Sequence, residues 1–454
     1  MANRANRSSV WDNFTKLSAS KVQCNLCKKE LAVSGGVTTG MHSHLRSKHV
    51  GVLDSPVAAS KSPVVPITGF VKQHSCPDGR QEKISSAPAK VIAENMLPIS
   101  IVESQSLRDL LALLDPGYKV PCRQTMTSRL ESMHRTLSSK LQDTLTATDA
   151  VAVTTDIWTS MANEAYISFT TSYVDLSWQL NSPVLSTVPI PERHTQAVIA
   201  EHLSDLASKW SITDKVVACV HDGAANIREC GGRNNWMDVN CAAHKLHLCV
   251  SASMGTDKVS NHPISKCVSA ASRLVGHFAH SPMATTELMK RQSAMSPDKP
   301  QRKLIQQCKT RWNSVYDMFN RLVDLRWPVC AVLSDRTVVK LTDAKTLELR
   351  DEQWQLMSDL LPVLKPLQIA TSVMSAEHKP TSSVLYPMMM GLVGDHLVAS
   401  DDDSQAVATF KRSAATEIKQ RFGINDTQTV KNPLVIASVL DPNYKDLTGM
   451  TSDV

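Results

Sequence analysis

The spacing of hydrophobic positions changes several times along this chain, and each change marks a segment. From Ala165 to Tyr173 apolar and polar positions alternate, which places Ile167, Phe169, Thr171 and Tyr173 on one face of a strand. Val151 to Asp156 reads as a strand ending in a carboxylate, and Pro183 to Val188 as a third strand. Thr195 then stands where it caps a helix striped by Ile199, Leu203, Leu206 and Trp210. Val216 to Val220 is a continuous apolar run, the pattern of a central strand buried on both faces. It ends at His221-Asp222-Gly223, and Ala224 to Ile227 is expected to open another helix. On either side the period is helical. Leu107, Leu110, Leu111 and Leu114 form one stripe, stopped by Pro116-Gly117. Met126, Leu130, Met133, Leu137 and Leu141 form a second one after Pro121, with Arg123, Arg129, Arg135 and Lys140 around it. Those cations read as a solvated face before a nucleic-acid contact. Trp354, Met357, Leu360, Leu361, Leu364 and Leu367 make a long third stripe. Residues 377–387 are polar, Met388 to Met390 read as packing filler, and Asp401 to Asp403 as an acidic loop.

The first fifty residues follow a different logic. Cys24 and Cys27 sit close together, and His44 and His49 follow after a gap. That order and spacing suit one structural zinc ion held by two thiolates and two imidazoles. His42 is a competing ligand with a poorer spacing to His49. Such a short segment cannot build a large core, so the metal must supply much of its folding free energy. The expected finger is ββα. A hairpin carries the cysteines, flanked by Val22 and Leu31 to Val33, and Gly35-Gly36 and Gly40 break it. A helix from Met41 to Lys48 carries His44, with Trp11 and Phe14 as a miniature core.

Charge singles out the same segment. Arg4, Arg7, Lys16, Lys21, Lys28, Lys29, Arg46 and Lys48 face only Asp12 and Glu30 there, an excess equal to the net +6 of the whole chain. Zinc and two thiolates cancel, so the excess stands, and double-stranded DNA is the expected partner. Lys28, Lys29, Arg46 and Lys48 are the candidate DNA contacts.

The expected domains are a finger over 1–50, a Pro- and Ser-rich flexible linker over 51–88 (Pro56, Pro63, Pro66, Pro77, Pro88) and a helical neck over 89–148. An α/β core follows over 149–255, a mostly helical insertion over 256–430, and the start of a late core segment over 431–454. Cysteines such as Cys219 lie inside apolar stretches, which suits a reducing compartment. The N-terminus reads as lacking a secretory signal, and no run approaches the ~18 apolar residues of a membrane span.

Three meandering strands, a helix and a parallel strand is the order of an RNase H-like fold. Such a sheet brings Asp156 and Asp222 near each other. Paired carboxylates can hold Mg²⁺ for phosphodiester cleavage, although aspartates at strand ends often only cap the next turn. Cys241, His244, His247 and Cys249 read as packing and hydrogen-bonding groups at a helix start, not as a second zinc site, because no helix face presents all four. Trp312, beside Arg311, reads as core or as a nucleic-acid contact.

Two resemblances sharpen this picture. Ser9-Val10-Trp11-Asp12-Asn13-Phe14 with the Cys pair and His44/His49 resembles a BED-type zinc finger, a family that binds DNA. Four later segments resemble successive signatures of hAT-type transposases. They are Thr154-Thr155-Asp156-Ile157-Trp158-Thr159-Ser160, His221 to Asn226, Cys241 to Leu248, and Lys309-Thr310-Arg311-Trp312-Asn313-Ser314. Leu434 to Pro442 resembles a late segment of that family. The resemblance implies that Asp156 and Asp222 correspond to the first two catalytic acids, with Cys241 and His244 near the site. The family's third acid, a glutamate, and its C-terminal dimerisation region have no counterpart before Val454. A shortened copy, or one domesticated as a nuclear DNA-binding transcriptional regulator without transposase activity, is therefore the expectation. The alternatives are an active Mg-dependent transposase or nuclease, and a protein-interaction scaffold, including one in modifier ligation. A homodimer is expected only if a dimerisation region lies beyond this chain.

Overall fold

The computed structural model describes residues 9–33, 38–49, 75–256, 262–308, 310–376, 381–424 and 432–444. Arg4, Arg7, Gly35-Gly36, Pro56, Pro63, Pro66 and Lys309 lie outside them. Two units are described in turn, residues 1–130 and 131–454.

In the first unit a 3₁₀ turn (Ser9–Asn13) leads into β1 (Phe14–Lys16), β2 (Lys21–Cys24), β3 (Glu30–Ala32) and the helix α1 (Thr39–Lys48). The strands form an antiparallel sheet in the order β1-β2-β3, so a further strand precedes the expected ββα unit. Val10, Phe14, Val22, Cys24, Met41 and Leu45 are its buried core, with Trp11, Leu31 and Val33 packed at the edge. Each such side chain contributes about 1.5–3 kcal/mol, while each ordered backbone residue costs about 1–2 kcal/mol. Six buried side chains cannot balance that cost without a cross-link.

The expected linker is corrected at its end. Residues from Asp78 onward form α2 (Asp78–Glu94), with Pro88 inside it. Ser85, Ala89 and Ile92 repeat at helical spacing and are buried, which outweighs the single backbone bond that Pro88 forfeits. Arg129 clamps Glu82 through its two terminal guanidinium nitrogens, and Ser85 and Tyr118 share a hydrogen bond of 3.0 Å. α3 (Gln105–Leu114) carries the first leucine stripe, yet only Leu111 of it is buried. Leu110 and Leu114 are exposed. α4 (Arg123–Ala147) continues past residue 130 into the second unit.

The second unit starts with a mixed sheet. Its strands are β4 (Val151–Thr154), β5 (Ile157–Thr159), β6 (Ala165–Val174), β7 (Leu180–Asn181), β8 (Val184–Pro189), β9 (Val216–His221) and β10 (Met237–Asn240). The order is β10-β9-β4-β6, with β8 and β5 paired to β6. β4, β9 and β10 run parallel, β6 returns antiparallel to β4, and β8 is antiparallel to β6. This is the RNase H-like arrangement. On β6 the buried residues are Ile167, Phe169, Thr171 and Tyr173, the face that alternation selects. Thr195 caps α5 (Gln196–Lys209) by accepting from the Val198 N–H, and Ile199, Leu203, Leu206 and Trp210 are buried beneath it. β9 is central as expected, although Val217 is exposed. Residues 224–229 do not form the expected helix. The short α6 (Cys230–Arg233) begins later, because the Asp222–Gly223 turn spends the preceding residues re-aiming the chain.

α7 (Ala242–Met254) leaves β10 and buries Leu246, Cys249, Val250 and Met254 in a helical bundle. That bundle holds α8 (Pro263–His280), α9 (Pro282–Met295), α10 (Asn313–Asp324), α11 (Arg326–Ser334), α12 (Leu341–Leu347), α13 (Asp351–Met374), α14 (Ser382–Gly391), α15 (Gln405–Phe422) and α16 (Pro433–Leu440). Trp354, Met357, Leu360, Leu364 and Leu367 of the third stripe are buried on α13. Trp312 and Met389 are core. α16, in the range expected as the start of a late core segment, packs within the bundle. Val435 enters the helical core, and the Ser438 hydroxyl donates to the Ser383 carbonyl at 2.7 Å.

Candidate metal centre and nucleic-acid interface

β2 ends at Cys24, and two backbone bonds close the turn after it. The Cys24 N–H donates to the Lys29 carbonyl (2.9 Å) and the Lys28 N–H to the Cys24 carbonyl (2.8 Å). This curl needs Lys28 at φ +60°, in the left-handed region. α1 presents Met41, His44 and Leu45 inward, and His49 caps it by donating its N–H to the Leu45 carbonyl. Cys27 Sγ stands 3.2 Å from His44 Nε2 and Cys24 Sγ 3.6 Å from His49 Nε2. Donor atoms of all four residues lie within 4.8 Å of one another. Tetrahedral zinc, with bonds of about 2.3 Å to sulfur and 2.0–2.1 Å to nitrogen, sets its ligand atoms roughly 3.3–3.8 Å apart. The donor set and its spacing therefore fit zinc. His42 is outside the group. Burial holds the His44 imidazole below its ordinary pKa, and His49, Lys29 and Lys48 add to this. That favours the neutral ring a metal needs.

Lys28, Lys29, Arg46 and Lys48 are all exposed, and Lys21 is neutralised by Glu30 at 3.3 Å. On α1 the outward face runs through Gly40, Ser43, Arg46 and Ser47. Sequence reasoning passed over Ser43 and read Gly40 as a break, whereas Gly40 lies in the first turn of α1; their helical spacing from Arg46 was the available signal. A side chain on Gly40 would meet nothing within 4 Å, so no internal packing requires glycine there.

In the body, strand register assembles the other candidates. Thr154 of β4 pairs with Val220 of β9, and His221 of β9 with Asn240 of β10. Asp156, Asp222 and Cys241 thus leave the carboxyl ends of three adjacent parallel strands, where open α/β sheets hold ligands. Asp156 lies between β4 and β5. Its N–H donates to Ser168 Oγ (3.1 Å) and its Oδ1 accepts the Ile157 N–H (2.9 Å). Asp222 Oδ1 accepts the Ala224 N–H (2.9 Å). Gly223, at φ +78°, is required here, because a Cβ would fall 2.5 Å from Asn240 Oδ1. Cys241 donates its N–H to the His221 carbonyl at 2.7 Å. Among the described residues no third carboxylate groups with Asp156 and Asp222, so the pair falls short of a complete divalent-cation site.

Two elements of this edge were not read from sequence. His221 is buried, accepts the Gly223 N–H at Nδ1 (3.0 Å) and so donates from Nε2 to Asp238 (3.0 Å). Asp238 also takes the Gly231 and Gly232 N–H groups at 3.0 and 2.7 Å. The network fixes the Asp222 turn from behind. Thr155 Oγ1 is buried without a partner beside Asp156. Farther along α7, His247 Nδ1 accepts the Trp312 N–H at 3.1 Å, and the His244 ring lies 5.7 Å from that of His247. Burial, then the neighbouring His244, lowers the His247 pKa, while burial pushes the Cys249 thiol up to about 12.

Known families match the chain in three stretches. The BED zinc finger family matches residues 8–50. The ZBED1 RNase-like domain matches 154–246, and the ZBED1 RNase-like helical domain 239–361. The chain therefore carries a BED zinc finger followed by regions that match the ZBED1 RNase-like domains. Zinc finger BED domain-containing protein 4 of Homo sapiens is 22% identical over 98% of this chain and 39% of its own length. Zinc finger BED domain-containing protein RICESLEEPER 2 of Oryza sativa subsp. japonica is 23% identical over 97% of this chain and 64% of its own. A Zea mays protein named "Putative AC transposase" is 23% identical over 84% of this chain and 49% of its own. The chain spans between 39% and 64% of the length of these relatives. Among the described residues no helix is long and apolar enough to cross a membrane.

Proposed function

We propose that this protein is a zinc-dependent, sequence-specific DNA-binding regulator of transcription acting in the nucleus, whose transposase-derived body serves as a scaffold. The observation that carries this reading is the Cys24, Cys27, His44 and His49 group, which pins a helix whose exposed face ends in Arg46 and Lys48. Metal ligation orders the helix. Ser43 and Arg46 reach base edges, and Lys28, Lys29 and Lys48 hold phosphates. Affinity selection of random duplexes with the full chain tests it. An enriched motif that disappears on zinc chelation is expected, and selection that enriches nothing overturns it.

A second reading, Mg-dependent DNA cleavage, is favoured by Asp156 and Asp222 leaving adjacent strand ends. Nicking of supercoiled plasmid with Mg²⁺ or Mn²⁺, abolished by Asp156→Ala, would replace the scaffold by an enzyme.

A further inference from the structure

A cavity of about 640 Å³ lies between the exposed edge of β10 and the helical bundle. That is within the roughly 300–1,000 Å³ of small-molecule sites. Its apolar wall includes Leu385, Leu434, Met374 and Phe422. Its polar side carries Lys245 together with Ala242 and Ala243 of the first turn of α7. Cys241 caps that helix without a side-chain hydrogen bond, so first-turn N–H groups remain free of intrahelical partners. The helix has thirteen residues, enough to carry a dipole.

Lys245 decides the chemistry. It is more than half buried, and its Nζ lies 5.6 Å from the Phe422 ring centroid. Among the described residues it makes no salt bridge and no hydrogen bond through Nζ. The cavity's other lining groups offer no free acid. Asp238 is the one carboxylate there, and its oxygens are held by His221, Gly231 and Gly232. Arg421 adds a second cation, partly answered by Glu417 at 2.8 Å. A half-buried ammonium is costly unless an anion meets it, and a ring face offsets only part of the cost. Burial accordingly lowers the Lys245 pKa.

The geometry points to a nucleotide site, in which Lys245 and the amino end of α7 hold a phosphate while the Leu385–Leu434–Met374 wall covers the base. The source is a free nucleotide or the terminal nucleotide of a strand, since the cavity also touches Thr154 and Val220 at the strand ends that precede Asp156 and Asp222.

The test uses the full chain, with AMP, adenosine and a short 5′-phosphorylated oligo-dT as probes, read by calorimetry or thermal shift. AMP or the phosphorylated strand binds and adenosine does not. Lys245→Met weakens binding about tenfold or more, as loss of a charge-assisted contact requires, while Lys245→Arg retains it. Binding of AMP alone assigns a free nucleotide, and binding of the strand alone a strand end. Failure of both at millimolar concentration, equal binding of adenosine, or a folded Lys245→Met that binds as the parent overturns the proposal. Should Lys245→Met not fold, Lys245→Gln replaces it, and the contrast between AMP and adenosine stands without any variant.

Discussion

Lys28 offers a clean separation of folding from DNA contact, because its backbone and its side chain have opposite consequences. Its φ of +60° costs an L-residue about 1–2 kcal/mol, and glycine removes that cost. Glycine also widens the unfolded ensemble, which returns about 0.4–1 kcal/mol. Loss of the exposed ammonium itself changes stability little. The expected net for Lys28→Gly lies between neutrality and about 1 kcal/mol of stabilisation, up to about a fivefold gain in zinc retention. DNA binding moves the other way. If Lys28 holds one phosphate, the slope of log affinity against log salt falls by about 0.9. Lys29→Ala, whose backbone lacks this strain, loses the same slope without the gain in zinc retention. Zinc competition with a chromophoric chelator and fluorescence anisotropy on duplex DNA at several salt concentrations read the two effects. A Lys28→Gly protein that releases zinc more readily, or keeps its full salt slope, refutes the reasoning.

Further expectations rest on other parts of the fold. Gly231→Ala places a Cβ 2.9 Å from Asp238 Oδ1 and 3.2 Å from Cys219 Cβ, and should destabilise the sheet unit by about 1–3 kcal/mol in denaturant titration. Timed alkylation followed by mass spectrometry should label Cys122 and Cys308 first. Hydrogen bonds from Thr125 and Thr310 lower these exposed thiols, whereas burial pushes Cys219, Cys249 and Cys267 up to about 12. Asp403 is held below the ordinary carboxylate range by Lys411 and then by the Ser400 N–H. Its folded pKa is below its unfolded one, so its contribution is present above about pH 4 and is lost as acid carries the pH through the folded value. Asp403→Asn should remove that part of the acid dependence in thermal melts and cost about 1–2 kcal/mol at neutral pH.

The parts legible in the sequence were those with a short period or a fixed chemistry. Ile167, Phe169, Thr171 and Tyr173 alternate because one face of β6 is buried, so the pattern and the burial are one fact. The zinc group was legible because a tetrahedral ion accepts few ligand spacings. Readings failed where local composition and tertiary packing disagree. Pro88 argued for a linker, yet Ser85, Ala89 and Ile92 find a buried face that holds α2 together. The leucines of α3 argued for burial, yet Leu110 and Leu114 face outward. α16 carries the segment read as a late one of the family, and its place beside α14, through the Ser438–Ser383 hydrogen bond, could not be read from it.

The body edge was the least legible of all, for a geometric reason. Asp156, Asp222 and Cys241 are far apart in sequence and meet only through the register of three parallel strands. Asp156 and Asp222 were named because each follows a predicted strand of one sheet and falls on a transposase-like signature. Lys245 was not, because a lysine next to a helical apolar stripe ordinarily reaches water. What distinguishes it is its position one turn inside α7, the element that starts at the sheet edge and ends in the bundle. A charge at that point is enclosed by both layers and must be answered from the space between them. A phosphate drawn to Lys245 at this sheet edge would reach Asp156 and Asp222 already accompanied by a cation, which lowers the repulsion between a nucleic-acid backbone and two carboxylates. DNA affinity of the full chain at low salt should then fall on Lys245→Met while the finger's zinc is untouched. A Lys245→Met protein that binds DNA as tightly as the parent would separate the body edge from nucleic acid altogether.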